Sequence, residues 1–165
     1  MNFNIDNKMK KLNFIGLEKE KSDKLAGMLN DLLANYQVFY MNVRGFHWNI
    51  KGEKFFELHV KFEELYDDLV IKIDEIAERI TTLGATPLHT FEDYLKTSEI
   101  KSVKDAADPM TTVQSILESF RILLVKEREI LDLSDELGDE GTNALASDYI
   151  REKEKLAWMY NSFLN

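Results

Sequence analysis

Two long segments in the first half of the chain carry apolar residues at every third or fourth position. The first spans about residues 22–48 and the second about residues 55–83, and neither contains proline. This spacing places the apolar side chains on one side of an α-helix, which is typical of a helix packed on a core. Ser22 is a candidate N-cap for the first helix. Gly52 lies between the two helices, and Gly84 is positioned to end the second.

The second half of the chain predicts two more long helices. Asp108 and Pro109 form a strong start signal, because Asp is a favoured N-cap and Pro is favoured at the first helical position. The third helix should end at Gly138, and the fourth should begin near residues 139–142. About two dozen residues connect helices two and three, with a short helix expected over residues 90–97. A connection of that length can join parallel neighbours, so we predict an all-α four-helix bundle with a long crossover carrying a short helix.

Composition and charge narrow the class of protein. The chain has 165 residues, of which 44% are hydrophobic, and this size suits a single domain. Its net charge of −9 favours a protein that binds cations and disfavours one that binds polyanions. We expect residues 1–15 to form a flexible N-terminal tail and residues 16–165 to form the bundle domain. The chain has no cysteine, which excludes a disulfide framework, a thiolate zinc site and a thiol nucleophile. Without a membrane-length apolar run or a secretory signal, a cytoplasmic location is expected.

Histidines and carboxylates around the first helical hairpin are the candidates for chemistry. His47 lies at the end of the first helix and His59 lies one turn inside the second. Glu63 follows His59 by four residues and Glu78 follows Asp74 by four, so each pair shares one side of the helix. Mixed imidazole and carboxylate ligands suit Fe(II), Zn(II) or Mn(II). Spacing alone leaves the alternative open that the carboxylates form a solvated face and the histidines make structural hydrogen bonds.

The rise of the helix indicates how such a site could be assembled. Glu63 and Asp74 are eleven residues apart, roughly 16 Å along a helix, so one chain cannot bring both pairs to one ion. Two copies packed antiparallel across a twofold axis near residues 68–69 would bring His59 and Glu63 of one chain against Asp74 and Glu78 of the other. A symmetric dimer would then hold two identical sites.

Three sequence blocks closely resemble the Dps proteins, the mini-ferritins of starved bacterial cells. They are RGFHWNIKG at 44–52, FFELH at 55–59 and DEIAERI at 74–80. The resemblance covers nearly the whole chain and implies a ferritin-like four-helix bundle. It assigns the family's metal ligand positions to His47, His59, Glu63, Asp74 and Glu78. The family often has Asp where this chain has Glu63, and the longer side chain affects the position of the second iron.

The resemblance also implies an activity and an assembly. Dps proteins form hollow dodecamers whose ferroxidase centres lie at twofold interfaces and take ligands from both chains. Each centre oxidises two Fe(II) ions with hydrogen peroxide or dioxygen, and the ferric mineral is stored in the shell, which protects the cell from oxidative stress. Trp48 falls where the family keeps a tryptophan that takes up oxidising equivalents. Zn(II), which suits the same ligands, is expected to act as an inhibitor or a substitute metal.

An acidic cluster marks the turn between the third and fourth helices. Turns and helix N-termini favour acidic residues in any protein. In the resembled family this region lines threefold pores through which ferrous ions pass, and a ring of carboxylates would concentrate Fe(II). We therefore select Asp139 and Asp148 as candidate pore residues.

DNA binding is the other activity of the resembled family. Lys8, Lys10 and Lys11 could form a basic arm, but acidic residues are interleaved with the nearby lysines. The net charge of −9 disfavours DNA contacts. The alternative functions that stay open are a DNA-binding, nucleoid-protecting shell with weak iron chemistry, and a helical bundle that binds zinc without oxidising iron.

Overall fold

The computed structural model describes residues 11–165. A flexible tail was predicted for residues 1–15, and residues 1–10 of it lie outside the described residues. Residues 11–18 form a short hydrogen-bonded loop, in which Leu12 pairs with Glu18 in an isolated antiparallel bridge. Five helices follow, and they are α1 Lys19–Asn49, α2 Phe55–Thr82, α3 Phe91–Thr97, α4 Pro109–Leu137 and α5 Glu140–Leu164.

Local sequence explains where most of these helices begin and end. Asp108 caps α4 by accepting a hydrogen bond from the Thr111 backbone N–H, as the Asp-Pro signal predicted. Gly138 ends α4 in the left-handed region with φ of 68°, a conformation that glycine adopts without steric cost. The short helix in the crossover is confirmed, and Thr90 caps it through the backbone N–H of Asp93.

The prediction that Ser22 caps the first helix is wrong. That helix begins three residues earlier, at Lys19, and Ser22 lies buried inside its first turns. Its hydroxyl accepts a hydrogen bond from Asn13 Nδ2 at 3.1 Å, and the same amide group also reaches the Leu83 carbonyl at 3.3 Å. Ser22 therefore helps to fix the loop before α1 against the end of α2.

Helix directions agree with the predicted crossover. The α1–α2 and α4–α5 pairs are hairpins joined by short turns. Between α1 and α4, Asp31 forms an ion pair with Lys126 at 2.6 Å and the ring of Phe39 contacts the edge of Phe120 at 5.6 Å. Because residue numbers rise along α1 as they fall along α4, these two helices are antiparallel. It follows that α2 and α4 are parallel, which is the arrangement that requires a long crossover.

Asparagine side chains on α1 hold the crossover in place. Asn30 accepts from the Leu88 N–H at 2.7 Å and donates to the Thr86 carbonyl at 3.1 Å. Asn35, which is fully buried, accepts from the backbone N–H of both Glu99 and Ile100. Amide side chains thus replace the regular backbone pairing that this irregular segment lacks. No helix among the described residues is long and apolar enough to span a membrane.

Candidate metal centre

His47 and His59 form a reciprocal pair at the first hairpin. His47 Nδ1 lies 2.8 Å from the backbone oxygen of His59, and His59 Nδ1 lies 2.9 Å from the backbone oxygen of His47. The two rings stack with centroids 3.8 Å apart and planes inclined by 21°. The structure therefore brings together two of the predicted ligands, from the last turn of α1 and the first turns of α2.

The hydrogen bonds of this pair define which ring nitrogen is available. A backbone carbonyl can only accept, so each Nδ1 carries the proton and donates it. In the neutral imidazole, Nε2 then holds a lone pair that is free to bind a metal ion. Backbone carbonyls orient many metal-binding histidines in this way.

Neighbouring aromatic rings fix the orientation of the two imidazoles. Phe55, the first residue of α2, stacks on His59 with centroids 5.0 Å apart. Tyr66 meets the His47 ring edge-on at 5.3 Å. The turn that allows this packing contains Gly52 with φ of 97°, a left-handed conformation that other residues rarely adopt. The local sequence thus supplies a rigid support for the histidine pair.

The predicted carboxylate ligands all lie exposed on α2. Glu63 stands one turn after His59, and its Oε1 accepts a long hydrogen bond, 3.5 Å, from the Tyr66 hydroxyl. Partial burial and the Glu63 carboxylate raise the pKa of Tyr66, so this phenol stays protonated and serves as a donor. Asp74 and Glu78 lie three and four turns beyond Glu63 on the same helix. The structure does not bring these two residues to the histidine pair.

Within residues 11–165 of one chain, no three His, Asp or Glu side chains are grouped closely enough to hold a metal ion. The same side of α2 that carries the candidate ligands also carries apolar side chains facing outward. Val70 is 44% exposed, and Tyr66, Ile73 and Ala77 are half-buried. An apolar surface between two incomplete ligand groups is consistent with a contact between two copies of α2.

Trp48 lies next to this region, on the last turn of α1, and is 56% exposed. The guanidinium of Arg44 stacks over its ring at 4.7 Å and over the Tyr40 ring at 5.3 Å. Tyr40 in turn packs edge-on against Tyr66 at 6.3 Å. Trp48 is therefore connected through Arg44 and two tyrosines to the side chains around His47.

The two candidate pore residues have different environments. Asp139 is 3% exposed and caps α5, where its oxygens accept from the N–H and hydroxyl of Thr142 and from Arg79 Nη2 at 2.5 Å. Burial alone raises the pKa of Asp139, but the hydrogen bonds from Thr142 and Arg79 outweigh it and hold the pKa below its usual value. Asp148 is exposed and accepts from Arg151 at 2.8 Å. The assignment of both residues to a pore stays a prediction.

Sequence reasoning missed two groups of residues, one beside the candidate centre and one in the core of the bundle. It gave no chemical role to Tyr66, whose hydroxyl contacts Glu63 and whose ring contacts His47. It also missed a buried Lys–Glu pair in the middle of the bundle, Lys153 with Glu127. Helical periodicity places both of these residues on core-facing positions, but periodicity cannot tell which buried charges will meet.

The chain is similar to known proteins over nearly its whole length. A family model described as a ferritin-like domain matches residues 26–165. A DNA protection during starvation protein from Porphyromonas gingivalis is 42% identical over 156 residues, covering 94% of this chain and 98% of that protein. A crystal structure of the Dps protein from Vibrio cholerae O1, described as a member of a broad superfamily of ferritin-like diiron-carboxylate proteins, has 59% identity and a TM-score of 0.93. It covers 94% of this chain and 98% of its own.

One of the similar solved structures was soaked with zinc. A structure of Dps from Listeria innocua soaked with zinc is 26% identical to this chain with a TM-score of 0.81. The match covers 85% of this chain and 95% of that one.

Proposed function

Since this chain belongs to the Dps family of ferritin-like proteins, we propose that it is a mini-ferritin that oxidises Fe(II) and stores the ferric product in a hollow homo-oligomer. The ferroxidase centre lies between two chains. One chain contributes His47, His59 and Glu63, and the other contributes Asp74 and Glu78. A dodecamer built from such dimers would enclose the mineral.

The observation that carries this proposal is the reciprocal hydrogen bonding of the two histidines. Both Nδ1–H groups donate to backbone oxygens, which leaves both Nε2 lone pairs available on rings 3.8 Å apart. Two imidazoles alone cannot hold an ion firmly, and Asp74 lies roughly 16 Å from Glu63 along α2. Carboxylates from a second copy supply the missing ligands and favour the higher charge of Fe(III).

The reaction takes two Fe(II) ions as substrate at each centre. Each Fe(II) gives up one electron, and hydrogen peroxide accepts both as its O–O bond breaks. Two protons complete the formation of two water molecules, so no hydroxyl radical is released. Carboxylates and neutral imidazole stabilise both oxidation states of iron. The protein's contribution is to hold two iron ions close enough to deliver their electrons to one oxidant molecule.

Trp48 has a separate role in this proposal. When only one Fe(II) is bound, peroxide needs a second electron, and an indole beside the centre can supply it. Arg44 stacks on the exposed Trp48 ring and holds it in place. The iron reaches the interior through a pore to which Asp148 contributes its exposed carboxylate, and Asp139, nine residues earlier, caps the start of the same helix.

A mixing experiment tests the sharing of ligands directly. One variant carries His47→Ala with His59→Ala, and the other carries Asp74→Ala with Glu78→Ala. Every site in each homo-oligomer lacks part of its ligands, so both proteins should oxidise Fe(II) slowly. In a hybrid dimer, one site combines intact histidines from the second variant with intact carboxylates from the first. Co-refolding should therefore restore peroxide-driven Fe(II) oxidation.

The control is the hybrid itself, whose formation is established by native mass spectrometry. A site contained within one chain could not recover, because every chain in the mixture carries a defect. Hybrids that form but stay inactive would contradict the shared site. Zn(II), which has no redox chemistry, should inhibit the restored activity by occupying the same ligands.

The name of the Porphyromonas relative gives a reason to test DNA protection as a second function. A shell that protects DNA by binding it should retard DNA in a gel at low salt and release it as salt is raised. Deletion of residues 1–11, which carry three of the lysines, should abolish the shift. Protection without a shift at low salt would instead point to the removal of Fe(II) and peroxide as the protective step.

A further inference from the structure

A path of aromatic side chains connects the histidine pair to the surface of α1. Tyr66 of α2 packs edge-on against His47 with ring centroids 5.3 Å apart, and against Tyr40 of α1 at 6.3 Å. The rings of Tyr40 and Trp48 both lie within 5.3 Å of the guanidinium carbon of Arg44. Tyr40 and Tyr66 are half-buried, whereas Trp48 is 56% exposed. This aromatic path therefore runs from beside the candidate metal centre to solvent.

Helix geometry explains why Trp48 needs intermediate residues to reach the centre. Trp48 directly follows His47, but adjacent side chains point roughly 100° apart around an α-helix and do not face each other. Tyr40, Arg44 and Trp48 are spaced by four residues, so they share one side of α1. The ring contacts on that side lead from Trp48 back to Tyr40 and then across to Tyr66 on α2.

Tyr66 has a polar contact that packing alone does not require. Its hydroxyl donates to Oε1 of the proposed ligand Glu63 at 3.5 Å. A phenol gives up an electron readily only if its proton leaves as well, and an ionised carboxylate within hydrogen-bond reach can accept that proton. The chain has no cysteine, so tyrosine and tryptophan are the side chains that a one-electron oxidant at the centre would oxidise most readily.

We propose that Tyr66 and Tyr40 carry an electron from Trp48 to the metal centre when a single bound Fe(II) ion meets hydrogen peroxide. This inference rests on the proposed function, which supplies both reactants, and it adds a route to the role already given to Trp48. Tyr66 is the first donor, Tyr40 is the second, and Trp48 is the last. The oxidising equivalent thus leaves the histidine ligands and ends on an exposed indole.

The electrons and protons of this reaction balance. Hydrogen peroxide takes one electron from Fe(II) and one from Tyr66 as its O–O bond breaks. The phenol proton of Tyr66 passes through Glu63 to one peroxide oxygen, and solvent supplies a second proton, so two water molecules form. Tyr66 then regains an electron from Tyr40 and a proton through the exposed Glu63. Tyr40 loses and regains an electron and its phenol proton, and Trp48 finally loses one electron and its indole proton to solvent.

Freeze-quench electron paramagnetic resonance locates the radical. The wild-type oligomer receives half an equivalent of Fe(II) per site and the same amount of hydrogen peroxide. Protein made with ring-deuterated tyrosine distinguishes tyrosyl from tryptophanyl signals, because deuteration narrows the tyrosyl hyperfine structure alone. Peptide mass mapping of the reacted protein then measures oxidation of Trp48. We expect a transient tyrosyl signal in the wild type, followed by oxidised Trp48.

Three variants should stop the electron at different points of the path. Trp48→Phe removes the last donor, so the tyrosyl signal should increase and persist. Tyr40→Phe should keep a tyrosyl signal from Tyr66 while oxidation of Trp48 falls several-fold. Tyr66→Phe should lower both the tyrosyl signal and the oxidation of Trp48 several-fold. Phenylalanine keeps the ring packing in each case, so these changes act on the chemistry and not on the fold.

Tyr94→Phe is the matched control. The Tyr94 hydroxyl donates to the Leu88 carbonyl at 2.8 Å within the crossover, so its loss should leave both readouts at the wild-type level. All yields are expressed per Fe(III) formed, since weaker iron binding would lower the amount of Fe(III) but not the radical yield from each ion.

The results also separate the route from the proposed function. Undiminished oxidation of Trp48 in Tyr66→Phe or Tyr40→Phe would overturn the route alone, because Trp48 would then supply its electron directly. A wild-type protein that oxidises Fe(II) no faster than protein-free solution would overturn the proposed function and the route with it. Stepwise loss along the path, with Tyr94→Phe unchanged, supports the proposal.

Discussion

His47 and His59 illustrate how a single hydrogen bond can prepare a side chain for binding. Each Nδ1–H is held by a backbone oxygen of the other residue, so the rings cannot turn without losing a bond. Both oxygens belong to the hairpin backbone, which fixes the ring positions before any metal arrives. The two side chains thus lose their conformational entropy during folding and not on binding, which increases their affinity for a ligand.

Asp148 is the residue at which the pore assignment can be tested cleanly. Its exposed carboxylate forms a surface ion pair with Arg151, so Asp148→Asn should fold normally. If Asp148 concentrates Fe(II) at a pore, the variant should take up iron several-fold more slowly at low ionic strength, and added salt should reduce the difference from wild type. Stopped-flow measurement of Fe(II) uptake checks this. Equal rates at low ionic strength would contradict the assignment.

Asp139 is less suitable for that test, because its carboxylate stabilises the fold. Asp139→Asn keeps an N-cap acceptor but removes the charge that faces Arg79. We expect a loss of about 1–3 kcal/mol in the free energy of unfolding at neutral pH. The folded-state pKa of Asp139 is lowered, so its contribution is present above the ordinary aspartate pKa of about 3.9 and is lost as the pH falls through the lower folded value.

The measurement is urea unfolding of wild type and Asp139→Asn at several pH values. The difference in stability should be constant above about pH 5 and should shrink in more acidic solution. A difference that does not depend on pH would show that the lost hydrogen-bond geometry, and not the charge, destabilises the variant.

At the scale of the elements, Arg79 connects the end of α2 to the start of α5. Its guanidinium contacts Thr142 and Asp139 and passes so close to Gly141 that an added Cβ would lie 2.8 Å from Nη1. Only glycine leaves room for the arginine in this position. The contact therefore helps to fix the start of α5 against the end of α2.

Gly141→Ala tests this connection. Where nothing obstructs the new Cβ, replacing a helical glycine by alanine raises the free energy of unfolding by about 1 kcal/mol. Gly27→Ala, with no atom within 4 Å of the new Cβ, is the control that should show this gain. Gly141→Ala should instead leave the free energy of unfolding unchanged or lower it, because Arg79 must move away from Asp139. In an Arg79→Met background the same change should become stabilising. Equal effects of Gly141→Ala in both backgrounds would contradict the role of Arg79.

The elements were largely predictable from sequence, whereas the contacts between them were not. Asp108, Pro109 and Gly138 act through local backbone chemistry, so the ends of α4 follow from a few neighbouring residues. Ser22 was misassigned because a serine near a helix start can either cap the helix or lie buried within it. Here its hydroxyl accepts a hydrogen bond from Asn13, a contact that the local sequence pattern does not predict. Asn35 reads as an ordinary polar residue on a helix, and its bonds to the crossover depend on residues more than sixty positions away.

At the scale of the whole molecule, the candidate centre is incomplete in one chain. The rise of α2 is enough to predict that two ligand groups on one helix cannot meet, because that distance is fixed by the geometry of any helix. The orientation of the two copies depends on how they pack at the surface between the ligand groups. The sequence identifies the apolar residues of that surface but not the distances between residues of the two copies. The side chain at the middle of that surface is Val70, 44% exposed in the single chain.

Val70→Asp provides the test of assembly and function together. The side chain lies on the same face of α2 as Glu63 and Asp74, so a new carboxylate would face existing negative charges across the proposed twofold contact. Because Val70 is already 44% exposed, the single chain should keep its helical content. Sedimentation velocity should show dissociation to monomers at micromolar concentration, and Fe(II) oxidation should fall to the uncatalysed rate. Val70→Thr, similar in shape but uncharged, should retain the oligomer and most of the activity. A Val70→Asp protein that stays assembled and active would place the metal centre on some other surface of the bundle.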